Sequence, residues 1–146
     1  GADMLTIPAG GSAMPCTPER LAEGLHYLRM NGNEVFKFAV RMIPETTQRA
    51  LSASELTVAD LDWLVPHQAN QRIIDTVADR LGLPQERVVS AIEHVGNTSA
   101  ASIPLALHDL YTVGNLRPGM TVALVGFGAG LTWGAAIVRW TKGPAR

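Results

Sequence analysis

The stretch Asp60-Leu61-Asp62-Trp63-Leu64-Val65-Pro66-His67-Gln68-Ala69-Asn70-Gln71-Arg72-Ile73-Ile74-Asp75-Thr76-Val77-Ala78-Asp79-Arg80-Leu81-Gly82 decides the fold. Asp60 to Val65 reads as a short, mostly apolar strand, and Pro66, with no N–H to donate, ends it. Ile73, Ile74, Val77, Ala78 and Leu81 recur at the helical period, while Arg72, Asp75, Asp79 and Arg80 fall on the opposite side. Residues 70–81 are therefore an amphipathic helix, terminated by Gly82 and Pro84. His67 sits at the carboxyl end of the strand with a helix opening just after it, the place where ligands bind in open α/β sheets.

Further out, residues 1–16 are rich in Gly, Pro and Ser around Pro8-Ala9-Gly10-Gly11-Ser12 and read as an extended loop. Thr17-Pro18-Glu19 is a helix start, with Thr17 as N-cap. The sequence after it, through Met30, fits a helix or a short strand equally. Asn31-Gly32-Asn33 is a turn whose last residue caps a helix from Glu34, with Val35, Phe36, Ala39, Val40 and Ile43 on one face. Pro44 predicts a kink or break before that helix resumes to about Leu51.

A short strand is expected near Val88-Val89, then a loop from His94 to Gly96. Residues Ser99 to about Val113 are apolar nearly all round, so a helix there should be covered by two layers. Residues 121–126 and 132–140 complete the α/β pattern as strands. Met120 to Val138 carries no charge and passes a length test for a membrane span, but Gly126, Gly128, Gly130 and Gly134 break it into strand, turn and strand.

The 146 residues, 47% apolar, suffice for one domain with a core. A formal net charge of -1 leaves no nucleic-acid footprint. The single cysteine, Cys16, excludes an internal disulfide framework and fits a reducing, cytoplasmic setting. Gly1-Ala2-Asp3 has neither the basic region nor the apolar run of a signal peptide and no initiator Met, so the chain is expected to begin within a longer protein.

The chemistry centres on His67 and on Asn97 within Gly96-Asn97-Thr98-Ser99-Ala100-Ala101-Ser102. An imidazole and a carboxamide can donate two hydrogen bonds to one carbonyl oxygen as it becomes an enolate. Gly126-Phe127-Gly128-Ala129-Gly130 is a third loop, whose backbone can approach a ligand and present an N–H to an oxyanion. Cys16 lies in a Pro-rich loop with no base beside it in sequence, and no other side chain resembles an activated nucleophile. His26, His94 and His108 have no motif around them.

Four runs in register now resemble one family: Met30-Asn31-Gly32-Asn33-Glu34-Val35-Phe36-Lys37; His67-Gln68-Ala69-Asn70 with Arg72; Gly96 to Ser102; and Gly126 to Gly130 with Thr132-Trp133-Gly134. The family is β-ketoacyl-acyl-carrier-protein synthase III, and the resemblance covers residues 24 to 140. It implies an α/β fold, the C-terminal half of a thiolase-like five-layer α-β-α-β-α architecture, with 1–31 as connecting lead-in and 32–146 as the domain. It also implies a decarboxylative condensation of a short acyl-coenzyme A with malonyl-acyl carrier protein. His67 and Asn97 would be catalytic, and the nucleophilic cysteine would belong to an N-terminal half absent here, so the chain alone is expected to be inactive.

By the same resemblance the Ala129 backbone supplies the oxyanion donor, at a position where the family commonly has glycine. Gly32, Phe36, Asn70 and Phe127 line the coenzyme A and pantetheine path. Arg72 and Lys37, with Gln68 and Ala69, meet the acyl carrier protein, and Arg80 is a weaker candidate. The substrates are a coenzyme A thioester and the phosphopantetheine of the carrier protein. No metal or other cofactor, nucleic acid or membrane is expected; the full enzyme would be a cytoplasmic homodimer. Two readings stay open beside this one. One is a related acyltransferase or starter-loading enzyme of polyketide synthesis; the other is a non-catalytic half that binds carrier protein or coenzyme A.

Overall fold

A computed structural model describes residue 1 and residues 3–143. The chain forms two compact units, residues 1–38 with 128–132 and residues 39–127 with 133–146. Residues 144–146 of the expected second domain lie outside the described residues.

In the first unit the opening segment is not simply a loop. Leu5–Thr6 (β1) pairs antiparallel with Arg29–Met30 (β2). Between them Pro18–Ala22 (α1) starts as expected, with the Thr17 hydroxyl accepting from the Arg20 N–H. Helix α2, Gly32–Ala53, begins in this unit and has most of its residues in the other. Its first turn is capped by Asn31, whose Oδ1 accepts from the Glu34 N–H at 3.3 Å. The expected cap, Asn33, is instead inside the helix: an acceptor two residues further back already meets the free donors of the first turn.

In the second unit Trp63–Pro66 (β3) runs parallel to Thr121–Gly128 (β4), with Leu64 opposite Ala123 and Val65 opposite Leu124. Thr132–Arg139 (β5) adjoins β4 on its other side. Leu64, Val65 and Pro66 are all buried in succession, as in a strand covered on both faces. The expected strand near Val88 shrinks to one bridge with Leu64.

Gln71–Leu81 (α3) buries Ile73, Ile74, Val77, Ala78 and Leu81, the stripe read from the periodicity. It ends on Gly82 at φ 66°, a left-handed conformation that costs glycine little. Beyond the short helix Ile92–Val95 (α4), a 3-10 turn at Ser99–Ala101 leads into Ser102–Thr112 (α5). Ala106 and Leu110 of α5 join Val65, Val89, Ala91, Leu116 and Val122 in one apolar cluster. Of α5, Ser102, Ala106 and Leu110 are fully buried, and Ile103, Leu107 and Tyr111 are partly buried against the same cluster.

The expected break at Pro44 does not occur; α2 runs through it. Proline cannot give its N–H to the carbonyl four residues back, which is that of Val40. That oxygen is instead met by the Arg80 guanidinium of α3 at 3.0 Å. Arg80, a weaker carrier-protein candidate in the sequence, thus has a structural partner. Arg80→Ala should cost about 1 kcal/mol of stability in urea denaturation. The cost should shrink in a Pro44→Ala background, where the residue 44 N–H can take the Val40 oxygen itself; equal costs in both backgrounds would refute this link.

Candidate active site

His67 follows β3 directly, and its N–H still donates to the Val125 carbonyl of β4 at 2.8 Å, so the residue is anchored by the sheet. The imidazole is half-buried. Its Nδ1 lies 2.6 Å from the Ser102 hydroxyl at the start of α5. The Phe127 ring stands edge-on to it, with centroids 5.6 Å apart and planes at 75°.

Asn97 reaches the same place from the loop between α4 and α5. Its N–H donates to the Gln68 carbonyl at 2.7 Å. Asn97 and Ser99 have φ of 47° and 51°, left-handed values that asparagine tolerates and serine adopts at some cost. At Gly96 a Cβ would lie 3.0 Å from the Ile92 carbonyl oxygen, so the close turn leading into Asn97 favours glycine. Asn97 acts on the ring in the direction of its protonated form. Burial is the larger influence on His67 and pulls its pKa below the ordinary 6.5. The ring is thus held neutral at neutral pH, in the form that offers one donor and one acceptor.

Gln68 is a correction. Expected at the carrier-protein surface, it is 0% exposed. Its carboxamide donates to the carbonyls of Pro66 at 2.8 Å and Val89 at 3.1 Å and accepts from the Ala91 N–H at 2.7 Å. Its backbone N–H donates to Ser102 Oγ at 3.3 Å. With every polar group engaged inside, its side chain has nothing to offer a partner.

The other candidates divide between the units. Ala69 is half-buried, and Asn70 and Arg72 are exposed, in the second. Asn70 Oδ1 accepts from the Arg72 N–H at 2.9 Å and so caps α3. Gly32, Phe36, Lys37 and Ala129 belong to the first unit. Lys37 Nζ is 2.8 Å from Glu34 Oε1, an exposed pair that leaves the ammonium accessible. The Ala129 carbonyl accepts from the Thr132 hydroxyl at 3.1 Å.

The sequence reading passed over Ser102 and misplaced Gln68. A signal existed for both. Gln68 continues the alternation Leu64, Pro66, Gln68, and Ser102 is in helical phase with Ala106 and Leu110.

Gln68→Leu would leave the Ala91 N–H and two carbonyls without partners, and should cost about 3 kcal/mol or more in chemical denaturation. The His67 shift has a definite sign. Between its lowered folded value and 6.5 the unfolded chain binds more protons, so stability falls as pH drops through that window and the contribution is complete above it. His67→Gln should flatten that part of the stability-against-pH curve.

Comparison with known proteins gives the family of the chain. Residues 51–140 match the model of the C-terminal region of 3-oxoacyl-[acyl-carrier-protein] synthase III. A β-ketoacyl-[acyl-carrier-protein] synthase III of Symbiobacterium thermophilum is 56% identical over 138 residues, covering 94% of this chain and 42% of the relative. That of Clostridioides difficile is 50% identical over 141 residues, covering 97% of this chain and 43% of the relative. The crystal structure of 3-oxoacyl-(acyl carrier protein) synthase III from Pseudomonas aeruginosa superposes with a TM-score of 0.84 at 46% identity, over 97% of this chain and 42% of that one. The priming β-ketosynthase of the R1128 polyketide pathway superposes with a TM-score of 0.83 at 36% identity, over 99% and 42%. The chain spans about two fifths of the length of these relatives, and its thiolase-like α/β fold class is the one expected from the sequence. With the match covering more than half of its residues, the chain belongs to the 3-oxoacyl-[acyl-carrier-protein] synthase III family, as the C-terminal region of that fold.

Proposed function

We propose that the protein carrying this chain condenses a short acyl group from coenzyme A with malonyl-acyl carrier protein, the step that starts fatty acid synthesis. The observation that carries the reading is the convergence of Asn97, tied through its N–H to the Gln68 carbonyl, with a half-buried imidazole at the end of a sheet strand. Both groups can donate to one thioester oxygen. As the malonyl C–C bond breaks and carbon dioxide leaves, its electron pair moves into the thioester to form an enolate. The two donors stabilise the charge that develops on oxygen. The enolate carbon then attacks an acyl-cysteine thioester; a C–C bond forms, the C–S bond breaks, and the cysteine leaves as thiolate. That cysteine belongs to the rest of the enzyme, and this chain alone is inactive. Cys16 is exposed and belongs to a different unit from His67.

In this reading the Ala129 N–H serves the oxyanion of the condensation step. Gly32, Phe36, Asn70 and Phe127 line the pantetheine path, and Arg72, Lys37 and Ala69 face the acidic carrier protein. The reaction calls for no metal or redox cofactor. The complete enzyme works as a homodimer in the cytoplasm. The likeness to a priming ketosynthase favours one second reading, the loading of a polyketide starter by the same chemistry.

The test is the complete protein with acetyl-coenzyme A and malonyl-acyl carrier protein. The expected result is a 3-ketoacyl-carrier-protein product, with His67→Ala and Asn97→Ala each lowering decarboxylation by about 10²–10³-fold. Wild-type decarboxylation without transfer to acetyl, but with transfer to another starter, would favour the polyketide reading. Decarboxylation unchanged in both variants would remove His67 and Asn97 from the mechanism.

A further inference from the structure

We infer that Ser102 is a positioning residue that fixes His67 in the tautomer with its proton on Nε2. Ser102 is 0% exposed, so water does not satisfy its hydroxyl. Its oxygen already accepts one hydrogen bond, from the Gln68 N–H at 3.3 Å. Its own proton needs an acceptor, and among the described residues the atom in reach is His67 Nδ1 at 2.6 Å. Were Nδ1 protonated, the hydroxyl would face two N–H donors while its proton stayed buried and unpaired, which is costly. Nδ1 is therefore the acceptor, and the one proton of the neutral ring sits on Nε2.

One further observation agrees. The Gln68 N–H orients Ser102 from a residue with no freedom of its own, since its carboxamide is bonded to Pro66, Val89 and Ala91. Gln68 thus orders Ser102, and Ser102 orders the ring. The consequence rests on the function proposed above: an Nε2–H is the donor the thioester oxygen needs, and the other tautomer would present it with a lone pair.

The experiment is long-range 1H–15N NMR of the complete protein, labelled at histidine, with His67 signals identified by their loss in His67→Gln. The wild type should show a neutral ring protonated at Nε2 at pH 7. Ser102→Ala should lose that preference and lower the kcat for malonyl-thioester decarboxylation about tenfold or more, with KM little changed. Ser102→Thr, which keeps the hydroxyl, should retain the wild-type tautomer. A wild-type ring protonated at Nδ1, or an unchanged tautomer in Ser102→Ala, overturns the inference. If Ser102→Ala does not fold, the wild-type spectrum decides alone. The spectrum is read without turnover, so a wild type that shows Nε2–H yet decarboxylates nothing overturns the functional reading and supports the tautomer assignment.

Discussion

The buried carboxamide of Gln68 is the interaction on which the site depends. Three segments meet on this residue: the end of β3 through Pro66, the stretch 89–91, and the Asn97 loop through the Gln68 backbone carbonyl. A buried amide in a low-dielectric interior must have all its partners, and here it has them. The same requirement that makes such a group hazardous makes it a precise brace, because shifting any one segment leaves a donor or acceptor unpaired. His67 and Asn97, on either side of Gln68, inherit their positions from it. That arrangement also explains why a polar residue occupies a fully enclosed position within an otherwise apolar strand end.

A second constraint of the same kind runs through Pro44. The ring removes a donor from the middle of a helix, and the Arg80 guanidinium, from another helix, replaces it at the Val40 carbonyl. The general rule that proline breaks helices is a statement about an unpaired carbonyl and a steric clash. Where a neighbouring cation answers the first, the helix continues. Arg80 at its exposed position looks like a solvated charge in the sequence, and its guanidinium is tied down by a partner forty residues away.

Helix α5 shows how burial depends on more than composition. Its residues are apolar nearly all round, yet the chain fully buries only the line of Ser102, Ala106 and Leu110, and Val113 just beyond it is 68% exposed. An apolar helix states that it should be covered; which of its faces this chain covers is a property of the packed layers. The line that is covered is the one that carries the serine beneath His67.

The sequence by itself determined the local elements. Alternation and the helical period located β3, α3 and the strands near 121 and 132, and residue chemistry marked His67 and Asn97 as a donor pair. The element signals lie between neighbours a few residues apart, so no tertiary knowledge was needed for them. The tertiary structure decided partners. The bonds from Ser102 to His67 and Gln68 span 35 and 34 residues, and that from Arg80 to Val40 spans 40. It therefore decided that Gln68 faces inward, that Pro44 does not break α2, and that a serine lies against Nδ1. A hydrogen bond is chosen by which group is within about 3 Å once the layers pack. No local periodicity records that distance.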